Sequence, residues 1–475
     1  MPDKKPEKIL DSRMYQHFLT DCIGKGGQGA VYRTRDSDTA VKLIGAETEN
    51  PVVDKQEITK NNLKYDRVRI LPIPENLPLA LPLLTLRDHE GYVMKLLSTM
   101  RPFREFGFTF AKIPIDDKDI PQWLSSLPSP YMAKQIFFYG KTGGLRRRLN
   151  ALSQCAAILS RIHAMGLVYA DVSDNNVFVS EPLPPELPER TSVWLIDADN
   201  LRYNDGRGSL IGTPIYGVPE VIQGTGAPSC SGDCYAFTIM AFLMLTLQHP
   251  FMTSIVDDDE DKAFAGHIPF VDDPNDKSNH EVIFPRDLFL DQSLSLLFEQ
   301  MFCAGRISPA ARPPAVVLAC ALARAADSVI ACPNCGMTYY HTRNKCPYCE
   351  TQKPPYFTAQ TFIQSTQITT KEPCWIFTRE LTRPVSLPHR LFAAFTPEKN
   401  DEPELEMRFK NSNGKTSIII SKPPSSSLDF SYGIQGSESF KPFSRDVEFD
   451  NFNFCLRVRG GGFSRTVIFN LEGSL

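Results

Sequence analysis

The sequence predicts an α+β chain: a mixed strand-and-helix region, then a small four-cysteine metal ribbon, then an all-β, sandwich-like C-terminal domain. Three observations carry this. The first 327 residues interleave strand-like runs with amphipathic helical ones. Two C-x2-C pairs stand close together at Cys332/Cys335 and Cys346/Cys349. Beyond them, alternating apolar runs separated by Asn- and Gly-rich turns take over. A length of 475 residues suits about three domains.

Lys plus Arg number 51 against 55 Asp plus Glu, a formal net charge of −4. That near balance argues against a dedicated nucleic-acid-binding protein, whose footprint is strongly basic. An apolar fraction of 42% is enough for large cores and excludes global disorder. The longest apolar run, 234–247, is shorter than the ~20 residues a bilayer requires and contains Thr238 and Thr246, so no membrane span is expected. The opening MPDKKPEKILDSRMYQHF has charges but no apolar signal core, which disfavours secretion. Of 12 cysteines, four fall in two tight pairs and the others scatter, a pattern of metal binding in a reducing compartment. The expected address is the cytoplasm.

In chain order, residues 1–20 read as a charged tail and 21–97 as a strand-rich unit. The latter runs strand, Gly-rich turn, strand, then TAVKLI, a Pro-rich stretch and a further strand, Gly91 to Leu97. Residues 98–327 are mainly helical. Leu145, Leu149, Leu152, Ala156, Leu159 and Ile162 recur at spacings of three and four, one face of a helix closed by Gly166. NVFVS and SVWLID read as short strands flanking the Pro-rich insertion EPLPPELPER, and the acidic run DDDED as a solvated loop. The ribbon occupies 331–352, a polar linker 353–370 and the β-rich domain 371–475. There ELEMRFK-NSNG-TSIIIS and FNFCLRV-GGG-RTVIFNL predict hairpins.

Gly24-Lys-Gly26-Gly-Gln-Gly29-Ala-Val31 fits G-x-G-x-x-G-x-V, in which glycines let backbone amides approach phosphate oxygens. Its place between two strands disfavours a dinucleotide-binding unit. Lys42, in TAVKLI, is placed to reach nucleotide phosphates and needs a carboxylate to hold it. Glu57, in DKQEITKNNLKYD, is the candidate, with Glu47 and Glu49 as alternatives nearer the strand. In YADVSDNNVFV, Asp171 stands five residues before Asn176, and Asp197 follows another strand. An Asp base, an Asn magnesium ligand and an Asp magnesium ligand in that order suit phosphoryl transfer. Each alone is more often a turn or cap residue; the ordered set is not.

On these residues the chain resembles a eukaryotic-like (Hanks-type) serine/threonine protein kinase from about Asp21 to about Ala326. The resemblance implies a bilobal fold, with 21–97 as the small lobe and 98–327 as the large lobe. It implies that Gly24, Gly26, Gly29 and Val31 cover ATP, that Lys42 contacts its phosphates and that Glu57 pairs with Lys42. Met94 would guard the adenine pocket, with Lys95 to Leu97 as the hinge. Asp171 would be the catalytic base, with Asn176 and Asp197 on Mg2+. Glu220 and Arg312 would form a buried ion pair, and Asp233 would brace the catalytic loop. The sequence departs from the family where Tyr169-Ala170 replaces His-Arg, Asp197-Ala198-Asp199 replaces Asp-Phe-Gly, and Ser173 replaces a lysine. Asp199 reads as a loop cap ahead of an extra metal carboxylate. Without an arginine before Asp171, control through phosphorylation at Ser209 or Thr213 is in doubt.

Cys332, Cys335, Cys346 and Cys349 offer four thiolates, a closed tetrahedral shell for a structural Zn2+. Arg343, Lys345 and Lys353 make only a mild basic patch, which favours protein docking over nucleic acid. The expected function is an ATP- and magnesium-dependent Ser/Thr kinase, with ribbon and β domain docking partners. The alternatives are a nucleotide-binding pseudokinase scaffold and, behind it, a small-molecule kinase. The chain also resembles bacterial kinases of tellurite-resistance-associated gene sets. That resemblance implies a PP2C-type phosphatase and a von Willebrand A protein as partners beside the protein substrate.

Overall fold

Apolar residues at alternate positions build the N-terminal part into an antiparallel sheet. The computed structural model describes residues 8–26, 29–45, 55–107, 115–125, 127–181, 191–207, 213–256, 260–365, 369–381, 383–412, 415–460 and 463–473. Its first six strands are β1 (Lys8–Leu10), β2 (Gln16–Gly26), β3 (Gly29–Thr34), β4 (Thr39–Ile44), β5 (Pro82–Thr85) and β6 (Gly91–Lys95), in sheet order β1-β2-β3-β4-β6-β5. Ile9, Leu19, Val41, Leu43 and Val93 pack one face. Ala40, Tyr92 and Met94 on the other meet Tyr65 of helix α1 (Lys55–Arg69).

Helix α1 buries Ile58, Asn62, Tyr65 and Val68, a stripe at spacings of three and four. Asn62 fastens it to the β5–β6 turn. Its amide donates to the carbonyls of Leu86 (2.8 Å) and His89 (3.0 Å), and its Oδ1 accepts the Gly91 N–H at 3.0 Å.

The second part is mainly helical. Strands β7 (Met100–Pro102), β9 (Val177–Ser180) and β10 (Val193–Leu195) form a sheet in the order β10-β9-β7, while β8 (Leu167–Val168) pairs with β11 (Arg202–Tyr203). The helices are α2 (Pro130–Lys141), α3 (Gly144–Ala164), α4 (Pro219–Ile222), α5 (Cys230–Thr246), α6 (Glu260–Phe264), α7 (Gln292–Phe302), α8 (Ala304–Ile307) and α9 (Ala315–Asp327). α3 packs against α5 and α9 at the centre of the largest core. The long apolar run lies in α5, which is buried on nearly every side. Among the described residues no helix is long and apolar enough to cross a membrane. Ser209, nearly all of the Pro-rich insertion and most of the acidic run lie outside the described residues.

A ribbon hairpin, β12 (Val329–Ala331) with β13 (Thr338–Tyr340), leads to the C-terminal β region. One sheet there has the order β15-β14-β23-β22-β19-β20 and the other β16-β17-β18-β21. These are β14 (Tyr356–Ser365), β15 (Trp375–Glu380), β16 (Val385–Pro388), β17 (Pro403–Ser412), β18 (Lys415–Ser421), β19 (Phe430–Ile434), β20 (Lys441–Phe443), β21 (Val447–Phe449), β22 (Phe454–Gly460) and β23 (Phe463–Glu472), with a short helix α10 (His389–Phe392). Phe357, Phe377, Leu456 and Phe469 of the first sheet pack with Leu405, Met407, Ile418 and Ile420 of the second, a sandwich core.

The expected linker over 353–370 is corrected by this arrangement. Strand β14 lies within it and pairs on both sides, with β15 and β23. Its polarity is misleading because the inward Thr361 is satisfied internally: its hydroxyl donates to the Leu391 carbonyl at 2.7 Å.

Charged contacts lock the β region to the helices. Asp327, at the end of α9, is fully buried. It accepts from Trp375 Nε1 (2.8 Å), Arg390 Nε (2.7 Å) and Arg390 Nη2 (2.6 Å). Arg146 of α3 donates to both Glu380 and the Val329 carbonyl.

Candidate active site

β2 and β3 run antiparallel with Gly24 opposite Val31 and Gly26 opposite Gly29. Gly29 has φ +148°, and a Cβ on it would stand 2.0 Å from the Leu43 carbonyl oxygen, so a side chain does not fit. Residues 27–28 of the turn are outside the described set. Below these strands, Val31, Ala40, Met94 and Leu96 gather around Tyr65 and Tyr92. Lys95 projects outward, with its ammonium 4.3 Å over the Trp194 ring.

Lys42 lies on β4 opposite Val31 and is 3% exposed. Its Nζ stands 3.1 Å from Asp197 Oδ1 and 3.3 Å from Asp199 Oδ2. Burial opposes its charge, but the attraction and hydrogen bonds of the two carboxylates outweigh that and hold its pKa above the ordinary lysine value.

The expected partner, Glu57, is exposed on the first turn of α1 and makes no contact with Lys42. The reason is helical phase. The inward stripe of α1 is Ile58, Asn62, Tyr65 and Val68, and Glu57 lies off it. Glu47 and Glu49 are outside the described residues. Asp199, read from sequence as a loop cap, instead gives its carboxylate to Lys42. The 3-10 turn Ala198–Asn200 that carries it has no side-chain cap.

The loop between β8 and β9 brings in Asp171 and Asn176. Asn176 Nδ2 donates to both the carbonyl and Oδ2 of Asp171, each at 2.9 Å. Asp171 Oδ1 is buried without a partner. Burial above all, with the nearby Asp197 and Asp199 charges, raises the Asp171 pKa; the Asn176 hydrogen bond and Lys42 partly offset this. The Asn176 carbonyl accepts the Ile196 N–H at 2.9 Å, which places Asp197 beside it. Asp197 adopts left-handed φ/ψ of 52°/41°.

The loop is braced from beneath. Asp233 on α5 accepts the N–H groups of Tyr169 (2.7 Å) and Ala170 (2.9 Å), the latter at φ +71°. His163 Nε2 lies 3.0 Å from the same carboxylate, a structural contact. The buried Tyr169 donates through its hydroxyl to the Ile196 carbonyl. Arg312 makes a two-pronged pair with Glu220, both bonds 2.7 Å. Burial raises the pKa of Tyr216 and the charge of the buried Asp174 adds to the rise, so the segment after Thr213 sits beside the same loop.

Far from this cleft, the sulfurs of Cys332, Cys335, Cys346 and Cys349 lie within 4.8 Å of one another. The Cys332–Cys349 and Cys335–Cys346 separations are 3.5 and 3.7 Å. These are close to the edge of a tetrahedron with ~2.3 Å zinc–sulfur arms, and far longer than a disulfide of ~2 Å.

The chain matches no protein-family model. It is similar to the DNA damage-responsive serine/threonine-protein kinase RqkA of Deinococcus radiodurans, 28% identical over 271 residues, 57% of this chain and 35% of that protein. It is 24% identical over 258 residues to the serine/threonine-protein kinase PknD of Chlamydia felis, covering 50% of this chain and 25% of PknD. The probable serine/threonine-protein kinase pknA2 of Bifidobacterium longum is 29% identical over 110 residues, 23% of this chain and 14% of its own length. This chain thus spans at most 35% of the length of these relatives.

Proposed function

We propose that this chain is an ATP- and magnesium-dependent protein kinase that phosphorylates serine or threonine, its own residues included. The supporting observation is the convergence of Lys42, Asp171, Asn176 and Asp197 from separate strands and loops, in a chain similar to several serine/threonine protein kinases. In this reading the first sheet with α1 is the small lobe and the helical region the large lobe. The residues fit magnesium: the Asn176 side-chain NH2 is spent on Asp171, so its side-chain Oδ1 and the Asp197 carboxylate are the hard donors available. Bound ATP and magnesium supply the phosphoryl group and the charge that neutralises its oxygens.

The chain's own residues do the rest. Gly24, Gly26, Gly29 and Val31 cover the nucleotide, and Met94, Lys95 and Leu96 border its base. Lys42 fixes a positive charge against the phosphates. Asp171, held by Asn176 at Oδ2, has Oδ1 left to accept the proton of the attacking hydroxyl, and its raised pKa strengthens it as a base. The four cysteines hold a structural zinc ion, and the sandwich presents the surface for partners.

The test is transfer of label from ATP in the presence of magnesium, with phosphosites mapped by mass spectrometry. Asp171→Asn and Asp197→Ala should each lose about a hundredfold or more. ATP binding without transfer, persisting after a candidate phosphatase or von Willebrand A partner is added, would overturn the enzyme reading in favour of a scaffold. Transfer to aminoglycosides or choline but not peptides would point to a small-molecule kinase.

A further inference from the structure

We infer that Asp199 is the positioning residue for Lys42, holding its ammonium in place of a carboxylate on helix α1. The inference deepens the kinase reading and rests on it for the role of Lys42. A buried ammonium is stable only beside a buried counter-charge, and Lys42 has two carboxylates within 3.3 Å. They are not equivalent. The Asp197 side chain is 26% exposed and follows Ile196, whose N–H bonds the Asn176 backbone carbonyl. The Asp199 side chain is 5% exposed and hydrogen-bonds the ammonium from within the core. When Asp197 turns its charge to a metal, Asp199 is, among the described residues, the carboxylate left to Lys42.

The surroundings fit that division. Both carboxylates on α1, Glu57 and Asp66, lie off its inward stripe, and Asp66 pairs instead with Arg69 at 3.4 Å. Asn62 is spent on backbone groups of the β5–β6 turn. α1 instead contacts the 198–200 turn directly. There the charge of Asp199 falls on Tyr65 and Tyr92, whose phenols burial and that charge keep protonated. Ala198 is fully buried, and with no side chain beyond Cβ it lets the turn seat Asp199 this deeply.

The test reads Lys42 itself. In nucleotide-free protein, acylation of Lys42 by acetic anhydride is followed against pH by mass spectrometry. Removing a carboxylate that favours the ammonium lowers its pKa, so Asp199→Asn should shift the acylation midpoint to lower pH. Glu57→Gln should leave it in place. Asp199→Glu, which keeps the charge and guards against a folding defect, should stay nearer wild type than Asp199→Asn. In phosphate transfer, Asp199→Asn should cost about tenfold or more in kcat, with KM for ATP moving much less, because a misplaced charge fails chiefly in the transition state. An unmoved Lys42 midpoint in Asp199→Asn, or a shift in Glu57→Gln of equal size, overturns the inference. So does a loss confined to magnesium affinity, which would make Asp199 a metal ligand. Should the wild type transfer no phosphate even with the candidate partners added, the kinase reading fails, and the acylation profile still decides which carboxylate holds Lys42.

Discussion

The hydroxyl of Thr338 accepts the backbone N–H of Leu145 at 2.8 Å, with that of Arg146 at 3.2 Å, so the cysteine ribbon caps helix α3. A helix begins with N–H groups that have no partner inside it. The residue at the local cap position is Gly143, which has no side chain to supply one. The cap comes instead from a residue 193 positions later. α3 carries His163 to Asp233, and Asp233 holds the backbone before Asp171. The ribbon is therefore built into the support of the loop that carries Asp171.

Thr338→Val removes that acceptor and keeps the side-chain volume. It should cost about 1 kcal/mol of stability, the usual worth of a helix cap. Hydrogen exchange at the Leu145 and Arg146 amides should speed up, while Thr338→Ser should restore protection. Unchanged exchange at those two amides in Thr338→Val would sink the claim that the ribbon caps this helix.

Metal removal should act through the same contact. The purified chain should contain one zinc ion, and stripping it with a strong chelator should lower the melting temperature, because metal binding at four thiolates is folding energy for a short ribbon. Exchange at Leu145 and Arg146 should then rise as it does in Thr338→Val. Cys335→Ser should mimic the chelator. Metal-free protein with an unchanged melting temperature would remove zinc from the account.

Asp327 offers a sharper stability test. Its carboxylate shares with Asp401 the compensation of the buried Arg390 guanidinium, so Asp327→Asn, which leaves the Asp401 pair in place, should destabilise the chain by about 2–3 kcal/mol, the usual worth of hydrogen bonds to a charged group. Replacing both partners, Asp327→Leu with Arg390→Met, should recover part of that loss. Denaturant titration measures both. Equal losses in the single and double variants would show that packing, not charge, matters at this joint.

Local pattern and spacing carried most of the architecture. The β17–β18 hairpin was legible because ELEMRFK alternates and NSNG turns, and the Asp171–Asn176 pair because one loop of fixed length holds both. β14 was hidden because Thr361 is polar in composition yet satisfied inside the sandwich. The partner of Lys42 was misread for a different reason. Glu57 was chosen by residue type, whereas the spacing of Ile58, Asn62 and Tyr65 already placed it off the inward face. The Thr338 cap and the Asp199 pair join residues 193 and 157 positions apart, and no local signal announces such contacts.

Acid sensitivity should trace to His249. Its Nε2 lies 3.0 Å from the Ile215 carbonyl and donates to it, while Nδ1 accepts the N–H groups of Phe251 (3.2 Å) and Met252 (3.1 Å). Only the neutral ring satisfies all three bonds. Burial, partly offset by the Ile215 bond, lowers its pKa from the ordinary 6.5 to about 4. Between those values the unfolded chain binds a proton that the folded chain refuses, so stability rises with pH through this window and is lost as pH falls from about 6.5 toward about 4. The loss from this one group should reach about 3 kcal/mol at the acid end. Ile215 lies in the 213–217 turn, so that turn should loosen first, seen as faster exchange there at pH 5 than at pH 7. His249→Gln should flatten that part of the stability profile, and a profile as steep as wild type would assign the acid sensitivity to another group.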